Sequence, residues 1–370
     1  MFTRSYTILL LALTASCGTA SNDSTVYGQS GTGGGGGSGG ANTDGGSTGG
    51  TTGDASPGID AMTVPDGTTE PGKLLVYAHN DTTLYSVDPT DPNLALTQIG
   101  KFDCIGGSGE DPSMTDIAVD KDGGLFGVSA TAVYLDMKVN GSSVGCQAAK
   151  VTIDAGSVGT NAKFYGLTFA PPTQALGTAE TLIGANSNGD LYAIDKATGQ
   201  LTIVGNFGKV PSNDGQGHTY PSSHVDKNWE LSGDIVFLAN NGSPLGFATV
   251  RDCPNPPSSS SCSTVDTLVE IDVPKLAFNS SQSVTKAVRG QVLPANCSDP
   301  QSCGFGSMYG IAAWGDQVYG FSRKGDLLTI NNATGVGVKI GTPLTTPPSS
   351  NGFAGAGVTT LAPVIAPPPK

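Results

Sequence analysis

The segment Leu191–Asp195 (Leu-Tyr-Ala-Ile-Asp) is the clearest indication of the fold, together with the turn Thr198-Gly199 and the alternating run Leu201–Gly205 that follow it. Apolar alternation on both sides of a tight glycine turn predicts a β-hairpin. The same pattern returns near the end of the chain, in Leu327–Asn331 and in Val336–Gly341 behind a second Thr-Gly turn. Two further copies of the first run are Leu84–Asp88 and Leu268–Asp272.

Each hairpin is the second half of a longer repeated unit. A short apolar run headed by Asp or Gly opens the unit, and its copies are Asp116–Val119, Gly166–Phe169, Asp234–Phe237 and Gly310–Ala313. A further strand, such as Leu125–Ser129, lies between this run and the hairpin. Four short strands that repeat about every 40 to 60 residues predict a β-propeller, in which each unit forms one blade.

The two ends of the repeat region are incomplete in complementary ways. Lys73–His79 is the second strand of a unit without its first strand, and Gly357–Leu361 is a first strand without the rest. A strand from the C-terminus would complete the first blade and remove two exposed sheet edges. We therefore predict an all-β, five-bladed β-propeller of four-stranded blades over residues 73–365. The predicted blades cover 353–365 with 74–100, then 114–155, 164–206, 230–292 and 308–341.

Two other architectures stay open. The segment Val133–Val151 fits the repeat least well, which leaves room for six blades with one degenerate unit. The second alternative is a two-sheet sandwich, which would not require a first unit divided between the two ends of the chain. The composition favours a β-rich fold in each case, because 54 of 370 residues are Gly, 24 are Pro and only 13% are charged. Helices prefer Ala, Leu and long charged residues, and the charged members of that set are scarce here.

The N-terminus has the features of an export signal. Arg4 precedes the short apolar run Ile8–Leu13, and small residues then lead to Cys17. The run is too short to span a bilayer. Residues 18–72 are rich in Gly, Ser and Thr, and we predict a disordered linker because they offer almost no core. The alternative is ordinary cleavage after Ala20, which would release a soluble secreted protein.

The chain resembles the secreted bacterial β-propeller lipoproteins, in which Leu-Tyr-x-Ile-Asp-x-x-Thr-Gly hairpins follow a lipobox-like signal. In this chain residues 191–199 carry the hairpin motif and Cys17 stands at the lipobox position, although Thr14 departs from the usual Leu. The resemblance implies that residues 1–17 are a lipoprotein-type signal with an acylated Cys17, and that the protein is anchored to the cell envelope. The resemblance implies little about function, because β-propellers carry out many different functions.

Charge and cysteine content limit the partners and cofactors. With 18 basic and 31 acidic residues, the net charge is −13, which disfavours nucleic acid as a partner. We expect the protein to be a monomer that contacts the membrane only through the lipid anchor on Cys17. The histidines are scattered and no Cys-x-x-Cys occurs, so we expect no metal or other cofactor. Calcium at the turns Asp120–Gly123 and Gly189-Asp190 is the alternative to ordinary hairpin turns.

Seven cysteines leave six to pair if Cys17 is acylated. Cys253 and Cys262 flank one Pro- and Ser-rich loop, and Cys297 and Cys303 flank another, so each pair is predicted to form a disulfide. Cys104 and Cys146 are then left to form the third.

A candidate ligand site combines two inner-strand acids with one long connection. Asp116 and Asp234 head first strands of different blades and should converge at the mouth of the central channel. The connection before Asp234 breaks the repeat and carries four aromatic or imidazole groups, His218, Tyr220, His224 and Trp229. The alternative is structural: the two acids bind backbone amides between blades, and Tyr220 and Trp229 cover an edge of the core.

These features favour a non-catalytic, surface-tethered propeller that binds a protein, a glycan or a small ligand. The rival is a carbohydrate-active hydrolase or lyase on a five-bladed propeller, which needs paired carboxylates across a cleft. A purely structural envelope protein is a third possibility. An open funnel lined by Asp116, Asp234 and a third acid would favour the enzyme.

Overall fold

The computed structural model describes residues 75–153, 162–255, 261–315, 317–344 and 352–364. The predicted signal with Cys17, the predicted linker 18–72 and the tail 366–370 lie outside these residues. The described residues contain one α-helix, α1 (Pro300–Cys303), and no helix among them has the length and apolar character needed to cross a membrane.

Twenty-one β-strands make up the regular structure of the described chain. The first three are β1 (Val76–His79), β2 (Thr83–Val87) and β3 (Leu96–Phe102). The next five are β4 (Met114–Val119), β5 (Leu125–Ser129), β6 (Ala132–Asn140), β7 (Ser143–Gly145) and β8 (Lys150–Thr152). Then come β9 (Phe164–Ala170), β10 (Thr181–Asn186), β11 (Asp190–Ile194) and β12 (Leu201–Asn206). They are followed by β13 (Glu230–Leu238), β14 (Leu245–Arg251), β15 (Thr267–Ile271) and β16 (Thr285–Gln291). The last are β17 (Met308–Trp314), β18 (Gln317–Ser322), β19 (Leu327–Ile330), β20 (Gly337–Gly341) and β21 (Gly355–Gly357).

The strands pair into antiparallel sheets of four, as predicted for a β-propeller. β9–β12, β13–β16 and β17–β20 each form one such sheet. The remaining nine strands form two further antiparallel groups, β21-β1-β2-β3 and β4-β5-β6-β8, which β7 joins by pairing with both β6 and β3. The second group fitted the repeat least well because its outer part differs: β8 pairs with only the first residues of β6, and β7 pairs with the last.

The first strands of the five groups contact one another in a cycle. β4 contacts β9, β9 contacts β13, β13 contacts β17, β17 contacts β21, and β21 contacts β4. We call these five the inner strands, the line they surround the axis, and the end at which they begin the upper end. Described apolar side chains fill the space between neighbouring sheets in four buried clusters.

The C-terminal segment pairs with β1, as the incomplete first unit predicted. Tyr77 lies opposite Gly357 and His79 opposite Gly355. The predicted position of this strand, Gly357–Leu361, is wrong by a few residues. The axis next to His79 admits no side chain, since a Cβ on Gly355 would lie 2.3 Å from the His79 Nε2 atom. Gly357, at the other end of β21, is similarly confined, because a Cβ there would lie 2.9 Å from the Ile117 carbonyl oxygen.

The residues after β21 cross the lower ends of the other sheets. The Ala239 N–H, which follows β13, donates to the Thr360 carbonyl at 2.9 Å, and the Gly315 N–H donates to the Pro363 carbonyl. The Thr360 hydroxyl donates to Glu180, which also accepts the Lys121 N–H at 2.8 Å. The C-terminal segment therefore closes the lower end of the axis.

All three predicted disulfides are present. Cys253–Cys262 and Cys297–Cys303 close short loops, with sequence separations of 9 and 6. Cys104–Cys146 spans 42 residues and joins the end of β3 to the end of β7, the strand that pairs with it. Three disulfides are compatible with a location outside the cytoplasm.

Candidate functional site

The two predicted inner-strand acids meet at the axis. Asp116 and Asp234 are fully buried and their carboxyl groups hydrogen-bond each other. Asp116 accepts the N–H of Leu167 on the next inner strand, at 2.5 Å. Asp234 accepts its own strand's Ile235 N–H at 2.6 Å and the Ile311 N–H of the next inner strand at 2.9 Å. The acids therefore tie neighbouring inner strands together, as the structural alternative predicted.

This carboxyl pair retains a proton. Burial raises the pKa of Asp116 well above its usual range, and the neighbouring Asp234 raises it further. Burial also raises the pKa of Asp234, to about 8, although its hydrogen bonds oppose the shift. Two carboxylates in contact away from water cannot both be ionised, so one donates to the other.

His79 is a third polar group at the axis, and no motif in the sequence predicted its position there. Its Nδ1 atom bonds the Asn80 carbonyl at 2.8 Å, and its Nε2 atom lies 3.9 Å from the Asp116 Oδ1 atom. Both of these facing atoms are buried, and neither has a hydrogen-bond partner within the part of the chain that the structure describes. Burial lowers the pKa of His79 to about 4, so the ring is neutral at neutral pH.

Above the carboxyl pair, two tyrosines stand at the upper end of the axis. Tyr165 and Tyr309 each precede the glycine that heads their inner strand, and both are half-buried. The two phenol groups are close enough to interact electrostatically, and burial raises the pKa of Tyr165. The repeated dipeptide Tyr-Gly, at the same place in two units, was the sequence signal that could have identified them.

An ion pair lies beside Tyr165. Glu230 and Arg251 face each other across β13 and β14 and form a salt bridge. Glu230 is buried, whereas the Arg251 side chain is 21% exposed and interacts with both Tyr165 and Tyr309. Buried Asp266 also interacts with Arg251, and burial raises its pKa to about 6.

A second ion pair continues the surface on the other side of Tyr309. The Arg323 guanidinium lies 5.2 Å from the centre of the Tyr309 ring and donates to Asp81 at 2.8 Å. The Arg323 side chain is 29% exposed. We call these six residues the mouth set: Asp81, Tyr165, Glu230, Arg251, Tyr309 and Arg323.

The remaining predicted site residues form a separate cluster on the connection between β12 and β13. The rings of His218 and Trp229 both pack edge-on against Tyr220, at 4.8 and 5.3 Å between centroids. Tyr220 and Trp229 are buried in the core formed by β9 to β16. His224 is mostly buried, and its Nδ1 atom lies 2.6 Å from the Asp252 carboxylate. Tyr220 and Trp229 thus cover a core edge, and a ligand role for the six predicted residues stays a prediction.

The described residues allow a limited test of metal binding. In the Asp120 turn, the carboxylate accepts the N–H groups of Asp122 and Gly124, which is the geometry of an ordinary turn. Among the residues that the structure describes, Asp103 and Glu230 each lie beside two cysteine sulfurs. Those sulfurs are in disulfides, so they are not thiolate ligands.

No protein-family model matches the chain, and no curated protein matches it. Solved structures are similar in fold. A protein of unknown function from Bacteroides caccae is 9% identical, with a TM-score of 0.35 over 77% of this chain and 98% of that one. One from Bacteroides thetaiotaomicron is 11% identical, with a TM-score of 0.34 over 78% and 66%. Sqt1 of Saccharomyces cerevisiae is 13% identical, with a TM-score of 0.33 over 72% and 58%. Similarity at this level says nothing about function.

Proposed function

We propose that this chain is a five-bladed β-propeller that binds a ligand at its upper end and is tethered to the cell envelope through Cys17. The cycle of five inner strands supports the blade count, since three of them begin a sheet of four and the other two begin the two four-stranded groups that β7 joins. The pairing of β21 with β1 supports closure of the ring by the C-terminus.

The state of the axial acids favours binding over catalysis. A glycoside hydrolase holds its two carboxyl groups about 5 to 9.5 Å apart on either side of a substrate. Asp116 and Asp234 instead bond each other, are fully buried and accept backbone N–H groups of neighbouring strands. A substrate would have to break these bonds to reach either carboxyl group. This observation carries the proposal of a non-catalytic protein.

The upper end is the side that offers a binding surface. The C-terminal segment covers the lower end through its bonds to Ala239 and Gly315. The mouth set at the upper end combines half-buried tyrosines with partly exposed arginines, and both residue types are enriched at binding hot spots.

The tether is proposed from the sequence together with the disulfides. Six of the seven cysteines are paired in the folded domain, which leaves Cys17 as the cysteine at the lipobox-like position. A Gly- and Ser-rich linker after it would let the domain stand clear of the membrane surface. Both segments lie outside the described residues.

A thermal-shift screen tests the proposed function. A panel of oligosaccharides, peptidoglycan fragments, short peptides and divalent cations is added to the wild type and to the variants Tyr165→Ala, Tyr309→Ala and Tyr319→Ala. Tyr319 is a matched control, because it is half-buried on β18 and lies opposite Ala312 of β17, beyond the mouth set.

A ligand at about 100 times its Kd stabilises the protein by about 2.7 kcal/mol. We expect at least one compound to raise the melting temperature of the wild type and of Tyr319→Ala, but not of the two mouth variants. A panel without any effect, or equal shifts in all four proteins, would contradict binding at the mouth.

A further inference from the structure

We infer that the mouth set recognises a neutral saccharide. This inference rests on the proposed function, because it names the ligand class of the same surface. Three properties of the mouth set carry it: its aromatic surface, its charge balance and its hydrogen-bonding capacity.

The aromatic surface comes from two inner strands on either side of β13. Tyr165 on β9 and Tyr309 on β17 are close enough for their phenol groups to interact, and each is half-buried on its strand. A tyrosine side chain presents an apolar ring and a polar tip, which suits a ligand with both apolar and hydroxyl-bearing surface. Gly233, at the corresponding place on β13, adds no side chain between the two rings, and a Cβ there would collide with the Met308 carbonyl. The sugar ring, with its C–H faces and peripheral hydroxyls, has this mixed chemistry.

The charge balance argues against an anionic ligand. Each exposed arginine of the mouth is already paired: Arg251 with Glu230, and Arg323 with Asp81 at 2.8 Å. Two positive and two negative groups leave the mouth set formally neutral. An anion would have to compete with these carboxylates, and it would approach a chain whose net charge is −13. A neutral ligand meets neither obstacle.

The hydrogen-bonding capacity of the paired groups fits hydroxyls. A hydroxyl both donates and accepts, so it can donate to a carboxylate and accept from a guanidinium without breaking their ion pair. The more accessible of the two pairs is Arg323 with Asp81, whose side chains are 29% and 15% exposed. Neighbouring hydroxyls on one sugar ring would match the adjacent donor and acceptor groups of Arg323 and Asp81.

Isothermal titration calorimetry tests the inference on the purified residues 73–370 and on the full chain. The neutral probes are maltohexaose, cellohexaose, mannohexaose and chitotetraose, and the acidic probe is hexagalacturonate. The variants are Tyr165→Ala, Tyr309→Ala, Arg323→Gln and the control Tyr319→Ala, each checked for folding by circular dichroism.

We expect at least one neutral probe to bind with a Kd below about 1 mM, or about −4 kcal/mol. Tyr165→Ala and Tyr309→Ala should each weaken that binding by about tenfold or more, as expected for an aromatic hot spot. Arg323→Gln should weaken it, and Tyr319→Ala should change it less than about twofold. Because a neutral ligand carries no charge to screen, raising NaCl from 50 to 500 mM should leave the Kd nearly unchanged.

Two outcomes would overturn the inference. The first is binding of hexagalacturonate alone with a Kd that rises steeply with salt. The second is no binding of any saccharide probe. If another compound of the thermal-shift panel binds at the mouth while the saccharides do not, the proposed function stands and the saccharide inference fails. If nothing in that panel binds either, both fail.

Discussion

Asp116 and Asp234 hydrogen-bond each other across the axis although their strands, β4 and β13, are separated in the cycle by β9. Between them, β9 carries Gly166 at the matching position, so no side chain intervenes. Each acid also accepts an N–H group of the next inner strand. Asp234 also accepts the Ala356 N–H of β21, so this pair connects all five inner strands through hydrogen bonds.

The shared proton should make stability fall with pH. Burial raises the pKa of both acids in the folded chain, that of Asp234 to about 8, whereas an unfolded aspartate releases its proton near pH 4. The unfolding free energy therefore falls as pH rises through this range, by about 1.4 kcal/mol per pH unit for each proton retained. His79 acts in the opposite sense between about pH 4 and 6.5, because only the unfolded chain protonates it there. The window from pH 6.5 to 8 isolates the pair.

Urea unfolding at several pH values measures this slope. The double variant Asp116→Asn/Asp234→Asn keeps hydrogen-bonding groups at the axis but removes both titratable groups. Its stability should fall less between pH 6.5 and 8 than that of the wild type. Identical slopes in the two proteins would mean that the pair holds no proton in this range.

Shortening Asp116 should cost more stability than neutralising it. Asp116→Ala leaves the Leu167 N–H and the Asp234 carboxyl without their partner inside the core, and a buried orphaned group costs about 1 to 3 kcal/mol. Asp116→Asn keeps an oxygen for Leu167 and an N–H for Asp234. We expect Asp116→Ala to lower the unfolding free energy by about 3 kcal/mol or more, and Asp116→Asn by clearly less. Equal losses would contradict the role assigned to these hydrogen bonds.

Gly355→Ala should be strongly destabilising. A Cβ at this position would lie 2.3 Å from His79 Nε2 and 2.4 Å from Asp116 Oδ1, and neither buried group has room to retreat. Overpacking of this kind lowers the unfolding free energy by about 1 to 3 kcal/mol. The destabilisation should affect β21, the strand that completes the first sheet. Gly341→Ala in β20 is the control, since nothing lies within 4 Å of its Cβ. Chemical unfolding should show a lower unfolding free energy for Gly355→Ala and almost no change for Gly341→Ala.

The three disulfides should contribute unequally. Cys104–Cys146 closes a sequence separation of 42 residues between the paired strands β3 and β7, and Cys297–Cys303 closes one of only 6. Loop-closure entropy gives about 4 kcal/mol for the first and about 2 kcal/mol for the second. The serine variants of the first pair should therefore melt at a lower temperature than those of the second in differential scanning calorimetry. The reverse order would show that the long link adds little to the folded domain.

Acylation of Cys17 is testable by fractionation. We expect the full-length protein to sediment with membranes and the variant Cys17→Ala to lose that association. Partitioning into Triton X-114 measures the same property in purified material. A Cys17→Ala protein that still partitions with membranes would contradict the lipid anchor.

Local patterning predicted most of the sheets, because each hairpin carries its own alternation and glycine turn. The complementary ends of the repeat region predicted the pairing of β1 with the C-terminus. The exact residues of β21 escaped prediction, since they depend on the space left by His79 and Asp116 rather than on alternation. The mouth set could not be predicted for a similar reason. Glu230 and Arg251 are distant in sequence and come together only through the register of β13 and β14. In the connection 207–229, the aromatic side chains of Tyr220 and Trp229 are buried in the core, whereas most of the other residues are exposed.

Hydrogen–deuterium exchange with and without a binding compound tests the location of the functional surface most directly. We predict that ligand slows exchange at the upper end, in segments 79–82, 164–167, 229–234 and 307–311. Slower exchange confined to 212–224 or to 358–363, with the upper segments unchanged, would place the ligand elsewhere and contradict a binding site at the mouth.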